Sequence, residues 1–554
     1  MRLSRSFNFF SALGLGLARD STTVKNGTLV GLRNSHYDQD FFLGIPYAQP
    51  PVGKLRFNRA QPANETWSQR PATAYGPWCH SIPIVLPGFT QNGFDHEESE
   101  DCLTLNVVRP SGIDEATRIP VLTWIYGGGF MVGGGADQRY NMSFIVEESV
   151  KMGKPIIGYG FLSGSAVKDA GLYNLGLHDQ RLALSWIQEN IGAFGGDSSL
   201  VTVFGESAGA FSVGALYYAY GGRDDGLFSA AIAQSGSAAL PLIQNSLEPQ
   251  DASYNQIINR AGCSDSTDSL ECLRSKDVET LNAAFAGNMF IPSVDDELVV
   301  QSASQTAKDG KFIKRPLLIG VSHNEGTALM LQGGQVQFAV NNSAEFRTWV
   351  SESWPGIMNT TVDTFVTEYL EKFSADTLEK ELGTVLQSPS PKYGALFGNA
   401  ALYLGDRMFD APRRLTAEAW ANNRVPVFSY RFNVAPSDMD PKVFGVTHFQ
   451  EIPFVFRNYD GVGFEKNKMA SNSTEIRRKY KQVAKLMSRM WISFANDHSP
   501  NGHGVTEFQV DWPAYTNGSA VNMLFGLNET NLEKDTYRSS AIRSLIDSYS
   551  KNGF

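Results

Sequence analysis

In the N-terminal half of the chain, short apolar runs rich in β-branched residues alternate with segments whose apolar positions recur at helical spacing. Pro120–Tyr126 (PVLTWIY) and Leu200–Phe204 (LVTVF) have the length and composition of buried strands, whereas Asp179–Ile191 and Ser207–Tyr217 carry helical patterns. Strand, turn and helix in alternation predict an α/β architecture: a mostly parallel central sheet with helices on both faces. Farther along, Arg315–Gly320 (RPLLIG) predicts another buried strand. Glu475–Phe494 predicts a long helix with Ile476, Tyr480, Val483 and Met487 on its core face. Between them lie helical patterns such as Asp363–Phe373, expected as insertions around the mouth of a site. No repeat, low-complexity tract or long Pro/Ser/Gly linker divides the sequence, so one domain with insertions is the simplest organisation.

Composition narrows the class. Of the 554 residues, 42% are hydrophobic and 19% charged, the balance of a globular protein with a large core. A formal net charge of -10, without a Lys/Arg run, excludes a nucleic-acid partner on electrostatic grounds. At the N-terminus, Arg2 and Arg5 precede a short apolar stretch that ends in small residues at Gly16 and Ala18. That pattern predicts a signal peptide over residues 1–18 and a single mature domain over 19–554, secreted to the extracellular space. No other stretch reaches the ~18 to 20 apolar residues of a membrane span, and the C-terminal SLIDSYSKNGF carries neither an anchor tail nor a retention signal.

Two features agree with that address. Eight N-x-S/T triplets, at Asn26, Asn64, Asn141, Asn341, Asn359, Asn472, Asn517 and Asn528, are candidate glycosylation sites. Four cysteines allow three pairings, of which the local ones, Cys79 with Cys102 and Cys263 with Cys272, close short loops and are the expected disulfides. A bridge enclosing about twenty residues constrains the unfolded chain by roughly 3 kcal/mol, and oxidation suits a secretory compartment.

The chemistry centres on Leu200–Gly209 (LVTVFGESAG), a Gly-x-Ser-x-Gly between an apolar strand and an alanine-rich helix. A serine on so sharp a strand-to-helix turn needs Gly205 and Gly209, because a Cβ there collides with its neighbours, and the turn lifts the Ser207 hydroxyl clear of the sheet. Upstream, Trp124–Phe130 (WIYGGGF) ends a second strand in three glycines whose N–H groups are open to hydrogen bonding. The amides of Gly128, Gly129 and Ala208 are the expected oxyanion hole. A phosphate-binding loop is disfavoured because no Lys-Ser/Thr follows.

A serine nucleophile needs a base, which in this arrangement follows the acid in chain order. Of the eight histidines, His36, His80, His96, His178 and His323 come before the favoured acid, and His498 and His503 fall in a turn-rich stretch. His448, in the glycine-led GVTHFQEIPFVF, is the expected base. Glu325 follows the strand RPLLIG by a short turn; by spacing alone it is not separable from Asp295 and Asp296.

These residues resemble the type-B carboxylesterase/lipase family, which includes cholinesterases and the fungal Candida- and Geotrichum-type lipases. The resemblance runs from about Thr23 to the C-terminus. It rests on FLGIPYAQPPVGKLRF (Phe42–Phe57), EDCLTLNV (Glu100–Val107), the glycine run, FGGDSSLVTVFGESAG (Phe194–Gly209), NEGT (Asn324–Thr327) and GVTHFQEI (Gly445–Ile452). It implies the α/β-hydrolase fold with large helical insertions around the active site, the two local disulfides, and Glu325 as the acid of a Ser207–His448–Glu325 triad. It also implies that Ser235, in QSGS, hydrogen-bonds near the triad, and that Leu242 approaches the acyl pocket.

One departure stands out. Family members usually carry a strand with an Asn-Tyr-Arg core after Gly-Lys-Pro-Ile-Ile, but Lys154–Leu162 reads KPIIGYGFL, as though about ten residues were missing. Losing most of a central strand leaves sheet hydrogen bonds unpaired at a cost comparable with total stability. Three readings follow: a strand rebuilt from neighbouring residues, an altered splice product, or a poorly active protein. The expected function is hydrolysis of small-molecule or lipid esters through an acyl-enzyme, with no metal or organic cofactor implied. A triacylglycerol lipase and an inactive, binding member of the family are the alternatives. The loop between Cys79 and Cys102 is short and ends in the acidic DHEESED, which favours soluble esters over glycerides. It offers no Trp or Tyr face for a quaternary ammonium, which disfavours a cholinesterase.

Overall fold

Why the apolar runs become strands is visible in their burial. A strand sends successive side chains to opposite faces, yet every residue of Ile119–Ile125 (IPVLTWI), Ala230–Gln234 (AAIAQ) and Leu317–Ser322 (LLIGVS) is buried. Both faces of their sheet are therefore covered, the condition under which parallel strands read as continuous apolar runs.

The computed structural model describes residues 20–551 except 83, 91–95, 156, 162–172, 240–247, 289–290, 332–337 and 355, with backbone alone for 157–161 and 248–250. The predicted signal segment and Leu242 lie outside the described residues. The strands are β1 (Ser21–Val24), β2 (Gly27–Val30), β3 (Leu32–Asn34), β4 (Gln39–Pro46), β5 (Trp67–Pro71), β6 (Thr104–Pro110) and β7 (Ile119–Ile125), followed by β8 (Ile157–Phe161), β9 (Gly196–Glu206), β10 (Ala230–Gln234), β11 (Leu317–Ser322), β12 (Val427–Asn433), β13 (Val521–Gly526) and β14 (Thr530–Lys534). Among the described residues, β1, β2 and β5 form a small sheet. The other strands form an eleven-stranded sheet in the order β14-β13-β12-β11-β10-β9-β7-β8-β6-β4-β3. Its middle, from β13 to β8, is parallel throughout, and antiparallel pairs close both edges.

The shortened segment near residue 158 nevertheless supplies a strand. β8 pairs in parallel with β7 from Val121↔Ile157 to Ile125↔Phe161, and meets β6 at Val108↔Gly158. Of the three readings of the shortened motif, the structure shows the rebuilt strand: residues 157–161 fill the place between β7 and β6.

Three helices position the site: α1 (Met142–Lys151), α2 (Leu175–Asn190) and α3 (Ala208–Gly222). Every residue of α3 from Ala208 to Ala219 is buried, so it is a core helix with no solvent face. Gln180 of α2 donates to the Ser212 hydroxyl of α3 at 3.0 Å, a buried polar tie between the two.

Two expectations shift. In the helix Thr474–Asp497 the core face carries Tyr480, Val483 and Met487, but Ile476 sits in the first turn, before the helix reaches the sheet, and is 36% exposed. The pattern at Asp363–Phe373 becomes the helix Asn359–Val366 with a wide turn over Thr367–Glu371. Phe365 and Tyr369 pack against Tyr403, tilted and edge-on respectively, and Phe365 stacks on Trp354, which draws this segment into the core. It therefore does not form the mouth of the site.

Both local disulfides are present, Cys79–Cys102 and Cys263–Cys272, with Cα separations of 5.1 and 5.8 Å. The second holds a small satellite core of Ile257, Ala261, Leu273, Leu281 and Ala284. Of the eight N-x-S/T asparagines, six are exposed, while Asn26 and Asn141 are half-buried. Asn26 gives its side-chain amide to the carbonyls of Ala63 and Glu65, and Asn141 caps α1.

Candidate active site

Ser207 is the single residue between β9 and α3, at φ 55° and ψ −124°, a strained conformation for a residue with a Cβ. The turn is held by Ser207 N donating to the Gln234 carbonyl at the end of β10, and by Phe211 N donating to the Ser207 carbonyl, both at 2.9 Å. Its glycines are sterically required: a Cβ on Gly209 would lie 2.0 Å from the Ile125 carbonyl of β7, and one on Gly205 2.6 Å from Gly209.

The glycine run abuts the serine. A Cβ on Gly127 would lie 2.9 Å from that of Ser207, and Gly128 and Gly129 take φ of 119° and 62°. The carbonyl of Gly128 accepts from Met131 and Val132, closing a tight turn. The N–H groups of Gly128, Gly129 and Ala208 donate to no partner among the described residues. A cavity of about 20 Å³ lies here, bounded by Gly127, Phe130, Met131 and Ala208.

Glu325 and His448 come together from loops more than a hundred residues apart. Glu325 follows β11, and its Oε2 meets His448 Nδ1 at 2.7 Å. Its Oε1 accepts from the Ser235 hydroxyl and the Ser322 amide, each at 2.6 Å. The two loops are laced together: Asn324 N donates to the Val446 carbonyl, Val446 N to Asn324 Oδ1, and the Thr327 and Thr447 hydroxyls bond at 2.8 Å. Gly445, at φ 57°, admits the Asn324 side chain, since a Cβ there would lie 2.2 Å from Asn324 Oδ1. Gly326 likewise lets the helix Phe397–Gly405 approach, with the Ala401 carbonyl 2.0 Å from a hypothetical Cβ.

The rival carboxylates lie elsewhere. Asp295 is spent on its own loop, accepting from the amides of Glu297 and Val299 and from the Asn174 side chain. Of the other late histidines, His498 approaches Ser229 and His503 accepts from Val505 N, so neither faces Ser207.

The far nitrogen of His448 faces an acid that sequence reasoning passed over. Nε2 lies 3.2 Å from Oε1 of Glu206, the residue before the serine, and no hydrogen bond joins His448 to Ser207 among the described residues. Burial pushes the Glu206 carboxyl well above the usual carboxylate range, and the neighbouring His448 pulls it back. Burial also pushes the His448 imidazole down, but Glu206, Glu325 and Glu451 outweigh it and lift it to about 9. Glu206, facing Nε2, is the largest of these contributions, followed by Glu325, which touches Nδ1. Glu451 is raised to about 7 by burial and by Glu325. The sequence signal for Glu206 was present: a carboxylate ending an otherwise apolar strand has no solvent to face.

A second, larger cavity of about 240 Å³ shares the wall of Cys79, His80, Ser81, Phe130 and Met131 with the first, and extends between β4's following loop and the helix Val278–Phe285.

The comparisons with known proteins agree with this geometry. Residues 18–542 match the model of the carboxylesterase family. Lipase 4 of Diutina rugosa is 32% identical over 579 residues, covering 96% of each chain. Secreted lipase 1 of Botryotinia fuckeliana is 32% identical, over 91% of this chain and 89% of that one. The crystal structure of Aspergillus niger EstA superposes with a TM-score of 0.79 at 26% identity, covering 96% of this chain and 98% of that one. With the sheet, the strand-to-helix serine turn and the laced acid and histidine loops in place over the whole matched length, the chain belongs to the carboxylesterase family and is a carboxylic ester hydrolase of α/β-hydrolase fold.

Proposed function

We propose that the protein is a secreted serine esterase that works through an acyl-enzyme, with Ser207 as nucleophile, His448 as base and Glu325 as the acid that orients it. The observation that carries this reading is the Glu325–His448 hydrogen bond of 2.7 Å beside a serine held on a strained turn. Ser207 Oγ attacks the ester carbonyl carbon while His448 Nε2 takes its proton. Glu325 stabilises the imidazolium and remains ionised throughout. The unpaired amides of Gly128, Gly129 and Ala208 receive the negative oxygen, and loss of one such donor costs ~3 kcal/mol of transition-state stabilisation. The alcohol leaves with the proton from Nε2, and water, deprotonated by the same nitrogen, then releases the acid. The His448–Ser207 hydrogen bond forms as substrate displaces Nε2 from Glu206, in keeping with the loose catalytic contacts of ligand-free sites.

Secretion is supported by the disulfides, the exposed N-x-S/T asparagines and the similarity to the secreted lipase of Botryotinia. Among the described residues no helix is long and apolar enough to cross a membrane. The names of the two fungal relatives favour a second reading, a lipase acting on insoluble glycerides. Hydrolysis of p-nitrophenyl esters from acetate to palmitate, with a Ser207→Ala control, separates the readings. Activity confined to short chains and lost in the control supports the soluble-ester enzyme, and activity rising towards palmitate moves the assignment to a lipase. A folded protein without activity on any chain overturns both.

A further inference from the structure

The cavity of about 240 Å³ contains one group that the reaction above does not use. Asp179, in the second turn of α2, lines it, is only 8% exposed, and has neither a hydrogen bond nor an ion pair among the described residues. Burial alone raises its carboxyl to about 8, and no charged neighbour contributes. The other charged groups on the wall are already engaged. Arg56 binds both oxygens of Glu100 at 2.6 and 2.7 Å and the carbonyls of Arg274 and Lys276. His80 sits against Glu98. Tyr47, whose hydroxyl is pushed well up by burial and by the charge of Asp179, also lies close to it. The rest of the wall is largely apolar: Phe57, Phe130, Met131, Leu281 and Phe285.

An isolated buried carboxyl is costly unless something completes it. The cavity is many times the ~10–15 Å³ that one water requires, and it shares the wall of Cys79, His80, Ser81, Phe130 and Met131 with the small cavity that reaches Ala208, the residue after Ser207. Resting on the esterase reading, we infer that this cavity receives one arm of the substrate, and that Asp179 selects esters whose apolar arm ends in a primary ammonium group. The aromatic and aliphatic wall takes the carbon chain, and the uncompensated acid takes the cation.

The test compares kcat/KM for two matched pairs, hexyl and ω-aminohexyl butyrate, and ethyl hexanoate and ethyl ω-aminohexanoate, so that the amine is carried on either side of the ester. The expected result is a preference for the amine in one pair, lowered at least tenfold by Asp179→Asn. In the unaltered protein the same ratio should fall as pH drops below about 8, because ammonium binding must then expel the Asp179 proton. The ratio cancels the titration of His448, so this second readout stands even if the variant does not fold. Ratios near one in both pairs, unaffected by pH, overturn the proposal and leave the cavity to water. Failure to hydrolyse the neutral esters would count against the esterase reading instead. In that event calorimetric binding of hexylamine to Ser207→Ala still decides the site, since binding supports it and its absence overturns it.

Discussion

Two buried acids in this molecule have opposite surroundings. Glu325 accepts from Ser235, Ser322 N and His448, so each oxygen is engaged and the acid has a basic partner. Asp179, buried to a similar depth, has no partner among the described residues and is pushed towards its neutral form. Burial by itself raises any carboxyl; what differs is whether hydrogen-bond donors offset the lost water. On the proposed mechanism the satisfied acid serves orientation, and on the inference drawn above the unsatisfied one is left for a ligand.

That contrast breaks most decisively at Glu325. Glu325→Gln should leave a folded protein whose kcat is lower by about 10⁴, the cost of losing the orienting acid in a comparable triad, read by ester turnover with circular dichroism as the control. A loss below tenfold would place the acid elsewhere. Removing one support of the same carboxylate is milder. Ser235→Ala deletes a hydrogen bond to a charged group, worth ~1.5–3 kcal/mol, so kcat should fall about tenfold to a hundredfold with KM little changed.

The unsatisfied acid predicts an effect of opposite sign. Because the Asp179 carboxyl is raised in the folded state, the native protein holds a proton that the unfolded chain releases, and stability declines between the usual Asp range, about pH 4, and about pH 8. Asp179→Asn removes that decline. Thermal unfolding should show the variant more stable than its parent near pH 8, by ~1–3 kcal/mol, with a much smaller gain near pH 4. Equal shifts at both pH values would mean that the carboxyl has a partner after all.

The smallest effect concerns Glu206, which shares features of both acids: it is buried and lacks a conventional hydrogen bond, yet it faces His448. As one of the groups that lift the imidazole, its replacement in Glu206→Gln should lower the apparent pKa governing kcat/KM, moving the rising limb of the pH profile towards acid by about one unit. An unmoved limb would assign the lift to Glu325 and Glu451 alone.

The parallel strands and Ser207 were legible because each depends on a contiguous stretch: apolar runs of strand length, and a motif whose glycines are required by contacts a few residues away. The acid was not legible from spacing, since Asp295 and Asp296 matched Glu325 until the family motif was considered. In the fold, Asp295 is consumed by Asn174 and its own loop. The apparent loss of a strand near residue 158 was misleading for a related reason. A sheet accepts any short extended segment that fills the ladder, and Ile157–Phe161 does so.

Local sequence therefore determined the alternation of strand and helix, the serine turn and the two short disulfide loops. These follow from periodicity and from steric limits acting over a few residues. Tertiary structure alone decided that Glu206 faces His448, that Ile476 lies outside the core and that Asp179 lines a cavity without a partner among the described residues. A carboxylate's fate depends on which partners the fold brings within 3 Å, and some of these, His448 on Glu325 and Asn174 on Asp295, come from segments more than a hundred residues away, where sequence spacing carries no record of contact.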